Sequence, residues 1–265
     1  MSNTNQKVTI IGAGRVATSL AHAFTKKGVA INQIYSRSIS NAEKLSQEIP
    51  NASATDSLDF SSSDSTIFIV AISDDAIASV SKEIIFPQNA LLAHTSGNVS
   101  LDVLKHPHSG IFYPLQTFTK ESIVEFEEIP ILIDGKTSEV KDRLMLLGQL
   151  ISQQTRMATE AERQTLHVAA VFASNFTNRM FAAANEILKE SQFEFSTLQP
   201  LVEASIQNAF LHGPNQSLTG PARRGDQKTL DSHLQFLNSH PQLKQIYQTI
   251  TDQILSDYSQ DINSN

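Results

Sequence analysis

A glycine-rich turn placed directly after a short apolar run is the first stretch of this chain whose residue types could do chemistry. In "VTIIGAGRVATSL" the apolar run ends at Gly12, and Gly12-Ala13-Gly14-Arg15-Val16-Ala17 has the spacing Gly-x-Gly-x-x-Ala. In such a turn the first glycine permits the tight bend and the second lets a pyrophosphate approach the backbone. The small third residue lets the following helix pack against the strand. The helix N-terminus then offers unpaired N–H groups and the positive end of its dipole to phosphates. Glycine-rich turns are common, so the context decides. Here the turn follows a strand pattern and opens a helical one, as a dinucleotide site requires.

The end of the second strand pattern bears on which dinucleotide. An NAD-preferring site places Asp or Glu about 20 residues further on, to hold the ribose 2′-hydroxyl. This chain has Tyr35-Ser36-Arg37-Ser38 there, with no acid. A guanidinium flanked by two hydroxyls suits a 2′-phosphate, so Ser36, Arg37 and Ser38 point to NADP over NAD. Arg15 could add to that field, and the alternative for both arginines is plain solvation. In "AISDD", Ser73 comes at the carboxyl edge of a strand, where ligands of open sheets bind, and Asp74 is expected to cap the next helix. "HTSG" ends the following strand, with Thr95 and Ser96 as expected neighbours of the cofactor and His94 as a structural histidine.

A second constellation lies in the apolar stretch "ERQTLHVAAVFASNFTNRMFAAANEILKE". His167, Ser174 and Asn178 fall on one helical face at 3.6 residues per turn, with Val171 between them and Asn175 at the edge. Buried polar groups need partners, and either a substrate cleft or an interhelical network supplies them. His167 is the candidate proton donor or acceptor, because imidazole titrates in the useful range. Ser174 and Asn178 would orient the reacting group. In "SLTGPARRGDQ", Arg223 and Arg224 follow a Gly-Pro turn, and arginine suits bidentate capture of a carboxylate or phosphate. The alternative is a structural salt bridge, such as Arg224 with Asp226. Tyr113 in "FYPLQ" could bring a hydroxyl to the cleft or simply pack. His106-Pro107-His108 reads as a loop; with no cysteine and no His-Glu-x-x-His pattern, no metal site is expected.

These residues need elements to hold them. "KVTIIG" (7–12), "INQIYS" (31–36), "STIFIVAIS" (65–73), "NALLAHTS" (89–96), "SGIFYPL" (109–115) and "IPILID" (129–134) read as strands. They alternate with helical patterns over 15–28 and over 40–49, the latter entered through Ser40. Such alternation implies βαβ units and a mostly parallel sheet. From about residue 160 the pattern is helical only: 162–190 as one unbroken helix, then 196–212, 227–240 and 242–258. The fold class is therefore α/β, a Rossmann-type sheet followed by an all-helical C-terminal domain, with domains at 1–155 and 156–265. A net charge of −7 and no basic stripe argue against nucleic-acid binding. No apolar run nears the roughly 20 residues of a membrane helix, and no secretory leader is read at the N-terminus, so the expectation is a cytoplasmic protein.

Taken together, "GAGRVATSLAHAF", "YSRS", "HTSG", "GIFYPLQTF", "HVAAVFASNFTN" and "GPARRGD" resemble a bacterial family with a Rossmann-like domain and a helical C-terminal domain of unknown function. The resemblance covers nearly the whole chain. That family is similar to pyrroline-5-carboxylate reductase, to the 6-phosphogluconate and 3-hydroxyacid dehydrogenases, and to F420-dependent NADP reductases. The resemblance implies an NADP-type cofactor, a cleft between domains and a homodimer formed through the helical half. The resemblance itself delivers no substrate; with the residues above, the main expectation is an NADP-dependent oxidoreductase moving hydride between the nicotinamide and a small anionic imino, keto or hydroxy acid. The hydroxyacid dehydrogenases carry a lysine and, four residues on, an asparagine in the long helix; His167 and Val171 stand at those places here. "LTGPARRG" resembles the turn that holds the substrate carboxylate in the pyrroline carboxylate reductases, with two cations added. The missing lysine and asparagine are the main support for the alternative, an NADP-binding sensor without catalysis.

Overall fold

Residues 6–119 and 124–258 are described by the structure, a computed structural model. The apolar runs of the first half become strands buried on both faces, as a parallel sheet covered by helices requires. In chain order they are β1 (Lys7–Ile11), α1 (Arg15–Lys26), β2 (Ala30–Tyr35), α2 (Ile39–Glu48), β3 (Ser53–Thr55), β4 (Ile67–Val70), α3 (Asp74–Glu83), β5 (Leu91–His94), β6 (Ser109–Pro114), β7 (Ile131–Gly135), α4 (Ser138–Ile151) and β8 (Thr155–Met157). The eight strands form one sheet in the order β3-β2-β1-β4-β5-β6-β7-β8. Every neighbouring pair is parallel except β6 and β7, where Gly110 faces Gly135 and Pro114 faces Ile131. The chain runs outward from β1 to β3 on one side and resumes at β4 on the other. This reversal opens a crevice at the carboxyl ends of β1 and β4, where open α/β sheets bind ligands.

Alternation along β1 shows how the sheet is held. Val8 and Ile10 pack with Phe24 of α1, Ile69 of β4 and Phe112 of β6. Ile11 packs on the opposite face with Phe60, Phe68, Ile77 and Leu92. β3 and β8 were not among the expected strands. Each has three residues, mostly polar, at an edge of the sheet, too short to show a period of two.

The long helical stretch begins with a capping box, in which Thr159 accepts the Glu162 N–H and Glu162 returns a bond to the Thr159 backbone. It is not the unbroken α-helix that the periodicity predicts. α5 (Glu160–Ala170) gives way to a π-helical segment, Val171–Phe176, and then to α6 (Thr177–Leu188). Residues up to Asn175 form one compact unit and those from Phe176 a second. That division lies inside the π segment, whereas the composition changes near residue 155. The second unit continues with α7 (Gln199–His212), α8 (Pro214–Ser217), α9 (Pro221–Arg224), α10 (Gln227–Phe236) and α11 (Pro241–Asp257).

Candidate active site

Gly12 ends β1 at φ +130°, a conformation open to glycine, and its N–H donates to the Tyr35 carbonyl at 2.8 Å. A side chain there would press on the Ala71 carbonyl, whose carbon would lie 2.9 Å from a Cβ. Gly14 is the N-cap of α1, and no atom lies within 4 Å of where its Cβ would be. Neither a capping side chain nor an acidic residue occupies the first turn. The amides of Arg15, Val16 and Ala17 are thus left for an outside acceptor. Ala17 itself is fully buried, as the small third position of the motif should be.

These glycines open onto a cleft of about 910 Å³ at the crevice between β1 and β4. That is near the upper end of the range for cofactor pockets. Gly12, Gly14, Arg15, Val16, Ser36, Arg37 and Ser73 line it together, joined by Asn41, Ile72, Gln116 and Phe118. Arg15 reaches toward the far wall, where Nη1 donates to the Phe118 carbonyl at 3.4 Å. The residues present fit a dinucleotide: open space and free amides at Gly14, a cation and a hydroxyl at Arg37 and Ser36.

Besides the buried Ala17, three of the expected cofactor residues are not brought to the cleft wall. Ser38 is the N-cap residue of α2, and its hydroxyl contacts Ser40 at 3.0 Å. Thr95 donates from both N and Oγ1 to the Val70 carbonyl. Ser96 is buried, and its Oγ accepts from the N–H groups of Asn98 and Val99. The helix starts also differ by one position from expectation. Ser73 rather than Asp74 is the N-cap of α3, so Asp74 and Asp75 complement the dipole from the first turn. α2 begins at Ile39, ahead of Ser40.

Beyond Gln116 lies a second chamber of about 370 Å³, lined by Tyr113, Leu115, Gln116, Thr117, His167, Ala170, Val171, Ala173, Ser174 and Asn175. β6 supplies Tyr113, α5 supplies His167, and the Tyr113 hydroxyl lies 3.0 Å from His167 Nδ1. Burial, with a smaller push from Asp74, drives the Tyr113 phenol up to about 12, so it stays protonated. A neutral phenol can donate to Nδ1 or accept from it, as the protonation of the ring dictates. Gly97 forms the floor beneath the pair; a Cβ there would stand 2.5 Å from Tyr113 Cζ and 2.8 Å from His167 Nδ1. Ser174 Oγ meets Thr117 Oγ1 at 3.0 Å. Asn178 is exposed on α6, and the chamber presents Asn175 instead. The π segment explains the exchange, because its wider turn sets the register back by part of a residue and carries Asn175 onto the His167 face.

Beneath the chamber two groups are more deeply buried than the sequence indicates. Arg163, four residues before His167 on α5, is fully buried and donates from Nη2 to the Val99 carbonyl at 3.1 Å. Its Nε and Nη1 have no partner among the described residues, and burial lowers its pKa. His94 is also fully buried, with Nδ1 accepting the Ser96 N–H at 3.2 Å. Burial pushes its pKa down to about 4, so the ring is neutral and structural. Arg163 shares a helical face with His167, but the polar run around it gives no sign of its burial. Gly97, Gln116 and Thr117 offered none by themselves.

In the second unit, Arg223 and Arg224 sit in α9, between Gly220 at φ +108° and Gly225 at φ +66°. The Arg223 guanidinium lies 3.9 Å from the centroid of the Tyr258 ring. Arg224 is exposed. Asp226 caps α10, accepting from Thr229 N at 3.2 Å and Thr229 Oγ1 at 2.7 Å. Those bonds, more than Arg224, hold its carboxyl below the usual range. Among the described residues no cluster of three His, Asp or Glu could hold a metal ion. No helix among them is long and apolar enough to cross a membrane.

Comparison with known proteins agrees with this architecture. The Rossmann-like domain family matches residues 1–115, and the domain of unknown function DUF2520 matches residues 129–254. A crystal structure from Bacteroides fragilis, described as a candidate NADP oxidoreductase, is 34% identical, covers 96% of this chain and 99% of that one, and superposes with a TM-score of 0.88. Two more distant structures share the fold. A reductive aminase from Aspergillus terreus, in complex with NADPH and ethyl-5-oxohexanoate, is 16% identical over 78% of this chain and 76% of that one, at a TM-score of 0.60. A pyrroline-5-carboxylate reductase from Coxiella burnetii is 13% identical over 97% and 98%, at 0.58. No curated protein matches the sequence. With its Rossmann-like domain, its DUF2520 region and a relative alike over almost the whole length, the chain belongs to the family that joins these two domains.

Proposed function

We propose that the protein is an NADP-dependent oxidoreductase acting on a small anionic keto, hydroxy or imino acid. One observation carries the reading. A cleft built for a dinucleotide adjoins, at Gln116, a chamber that holds a hydrogen-bonded Tyr113–His167 pair. The amides at the start of α1 would hold the pyrophosphate, and Arg37 with Ser36 the 2′-phosphate. When bound, the nicotinamide supplies or accepts a hydride. With the nicotinamide bound, His167 as the imidazolium would give its Nε2 proton to the oxygen of a carbonyl held in the chamber, leaving a neutral ring whose Nδ1–H faces the Tyr113 hydroxyl. The Tyr113 phenol fixes the ring of His167 for that transfer, and Ser174 and Asn175 offer hydrogen bonds to the rest of the reacting group. The relative described as a candidate NADP oxidoreductase and the NADPH complex of the reductive aminase support the choice of cofactor. Arg223 and Arg224, on α9 of the second unit, are the pair suited to capture of an anionic group.

The apolar surface of α7 supports a homodimer. Leu201, Ile206, Phe210 and Leu211 are exposed, Phe210 to 90%, on a helix with no buried residue. Large apolar side chains clustered in the open are ordinarily covered, and a second copy would cover these.

The test is NADPH oxidation, followed by loss of nicotinamide absorbance, against a panel of small keto and imino acids. Turnover that falls about a hundredfold or more in His167→Asn, with NADPH binding intact, is the expected result. Turnover unaffected by that change removes His167 from the chemistry. Binding of NADPH with no turnover on any acid would instead make the protein a cofactor sensor.

A further inference from the structure

Among the described residues, Gln116 is the one that lines both the dinucleotide cleft and the Tyr113–His167 chamber. Hydride transfer requires donor and acceptor atoms about 3–3.5 Å apart. A dinucleotide in the cleft and a substrate in the chamber can therefore react only where the two volumes meet, which is at this residue.

The Gln116 amide is already oriented. Its Oε1 accepts the Thr117 N–H at 2.7 Å. A backbone N–H only donates, so the bonded atom is the oxygen and the opposite end is the NH2. The side chain is exposed, which leaves that end to solvent or ligand. The segment that carries it is held on both sides. Thr117 is tied to Ser174 on the chamber side, and the Phe118 carbonyl accepts from Arg15 on the cleft side. Gln116 is exposed where the cleft and the chamber meet, so whatever spans the two cavities passes its amide.

We propose that Gln116 marks the point of hydride transfer, with its NH2 end beside the nicotinamide ring and the reacting group. The inference rests on the dinucleotide reading above. An amide donor at that point fits the oxygen of a carbonyl or hydroxyl.

The experiment needs no substrate. Gln116→Glu keeps the size of the side chain, and one carboxylate oxygen can still accept the Thr117 N–H. The other oxygen puts a negative charge where the NH2 stood. The oxidised nicotinamide ring is positively charged and the reduced ring is not. The ratio of the NADP+ to the NADPH dissociation constant, measured by calorimetric titration, should therefore fall about fivefold in Gln116→Glu, as one partly screened charge pair gives. Gln116→Ala adds no charge and should keep the ratio within about twofold of wild type. A ratio unchanged in Gln116→Glu overturns the placement of Gln116 and leaves the dinucleotide reading standing. Failure of the wild-type protein to bind either form overturns both.

Discussion

Alanine at position 14 should leave the fold intact and still close the cleft to a dinucleotide. Gly14 has φ −86° and ψ −174°, a conformation alanine adopts freely, and a methyl group there meets no atom within 4 Å. Alanine is a poorer N-cap than glycine by about 0.5–1 kcal/mol, and the stiffer unfolded chain returns a similar amount. Net stability should stay within about 1 kcal/mol of wild type, a shift in melting temperature of no more than about 4 °C. Binding should suffer far more, because the methyl group fills the space through which phosphate oxygens reach the amides of α1. Loss of about two charge-assisted hydrogen bonds, at roughly 1–1.5 kcal/mol each, weakens NADPH about 30- to 150-fold. Gly12→Ala makes the contrast. Its φ of +130° and the nearby Ala71 carbonyl predict backbone strain and a clash together. The cost is about 3 kcal/mol or more, so folding rather than binding should fail. Melting by circular dichroism and titration by nicotinamide fluorescence separate the two. A Gly14→Ala protein that melts as wild type and binds NADPH within threefold of it would refute the seating of the pyrophosphate on α1.

Other expectations follow from the same geometry. Arg37→Ala should weaken NADPH about tenfold or more and NADH less than about twofold, since a single charge-assisted contact to the 2′-phosphate is removed; equal losses would remove Arg37 from that role. Gly97→Ala forces Tyr113 and His167 away from a Cβ 2.5–2.8 Å off, so it should cost about 2–4 kcal/mol through overpacking and the lost Tyr–His bond. A Gly97→Ala protein whose His167 ring resonances and melting temperature match wild type would contradict that packing. Native His94 stays neutral down to about pH 4, while in the unfolded chain it takes up a proton near its ordinary value of 6.5. The unfolded state therefore binds more protons in that window, and stability falls as pH falls through it. The slope approaches about 1.4 kcal/mol per pH unit. His94→Asn should flatten that part of the stability profile; an unchanged slope would assign it to another group.

How much of this was legible in the sequence depends on how local the cause is. The turn at Gly12 to Ala17, the strand that precedes it and the helix that follows are fixed by neighbouring residues, and they stand in the structure where the motif puts them. β3 and β8 escaped because three mostly polar residues at a sheet edge show no periodicity of their own. The cap of α3 shifted by one because Ser73 and Asp74 are both good capping residues and only backbone dihedrals separate them. The π segment was hidden because "VFASNF" fits an ordinary helix equally well, so the register that brings Asn175 rather than Asn178 to the chamber could not be read. Arg163, in the polar run "EAERQT", looks like a solvated helix residue; its burial depends on Val99, far away in sequence. Gly97 and Gln116 gain their significance from what the fold places beside them, which no local pattern records.

Titration of the wild-type protein with NADPH and with NADH, followed by nicotinamide fluorescence, tests the central claim most directly. Expected is saturable NADPH binding in the micromolar range, with NADH weaker by about tenfold or more, the contribution of a 2′-phosphate held by Arg37. Binding of neither dinucleotide, or of NADH as tightly as NADPH, would contradict it.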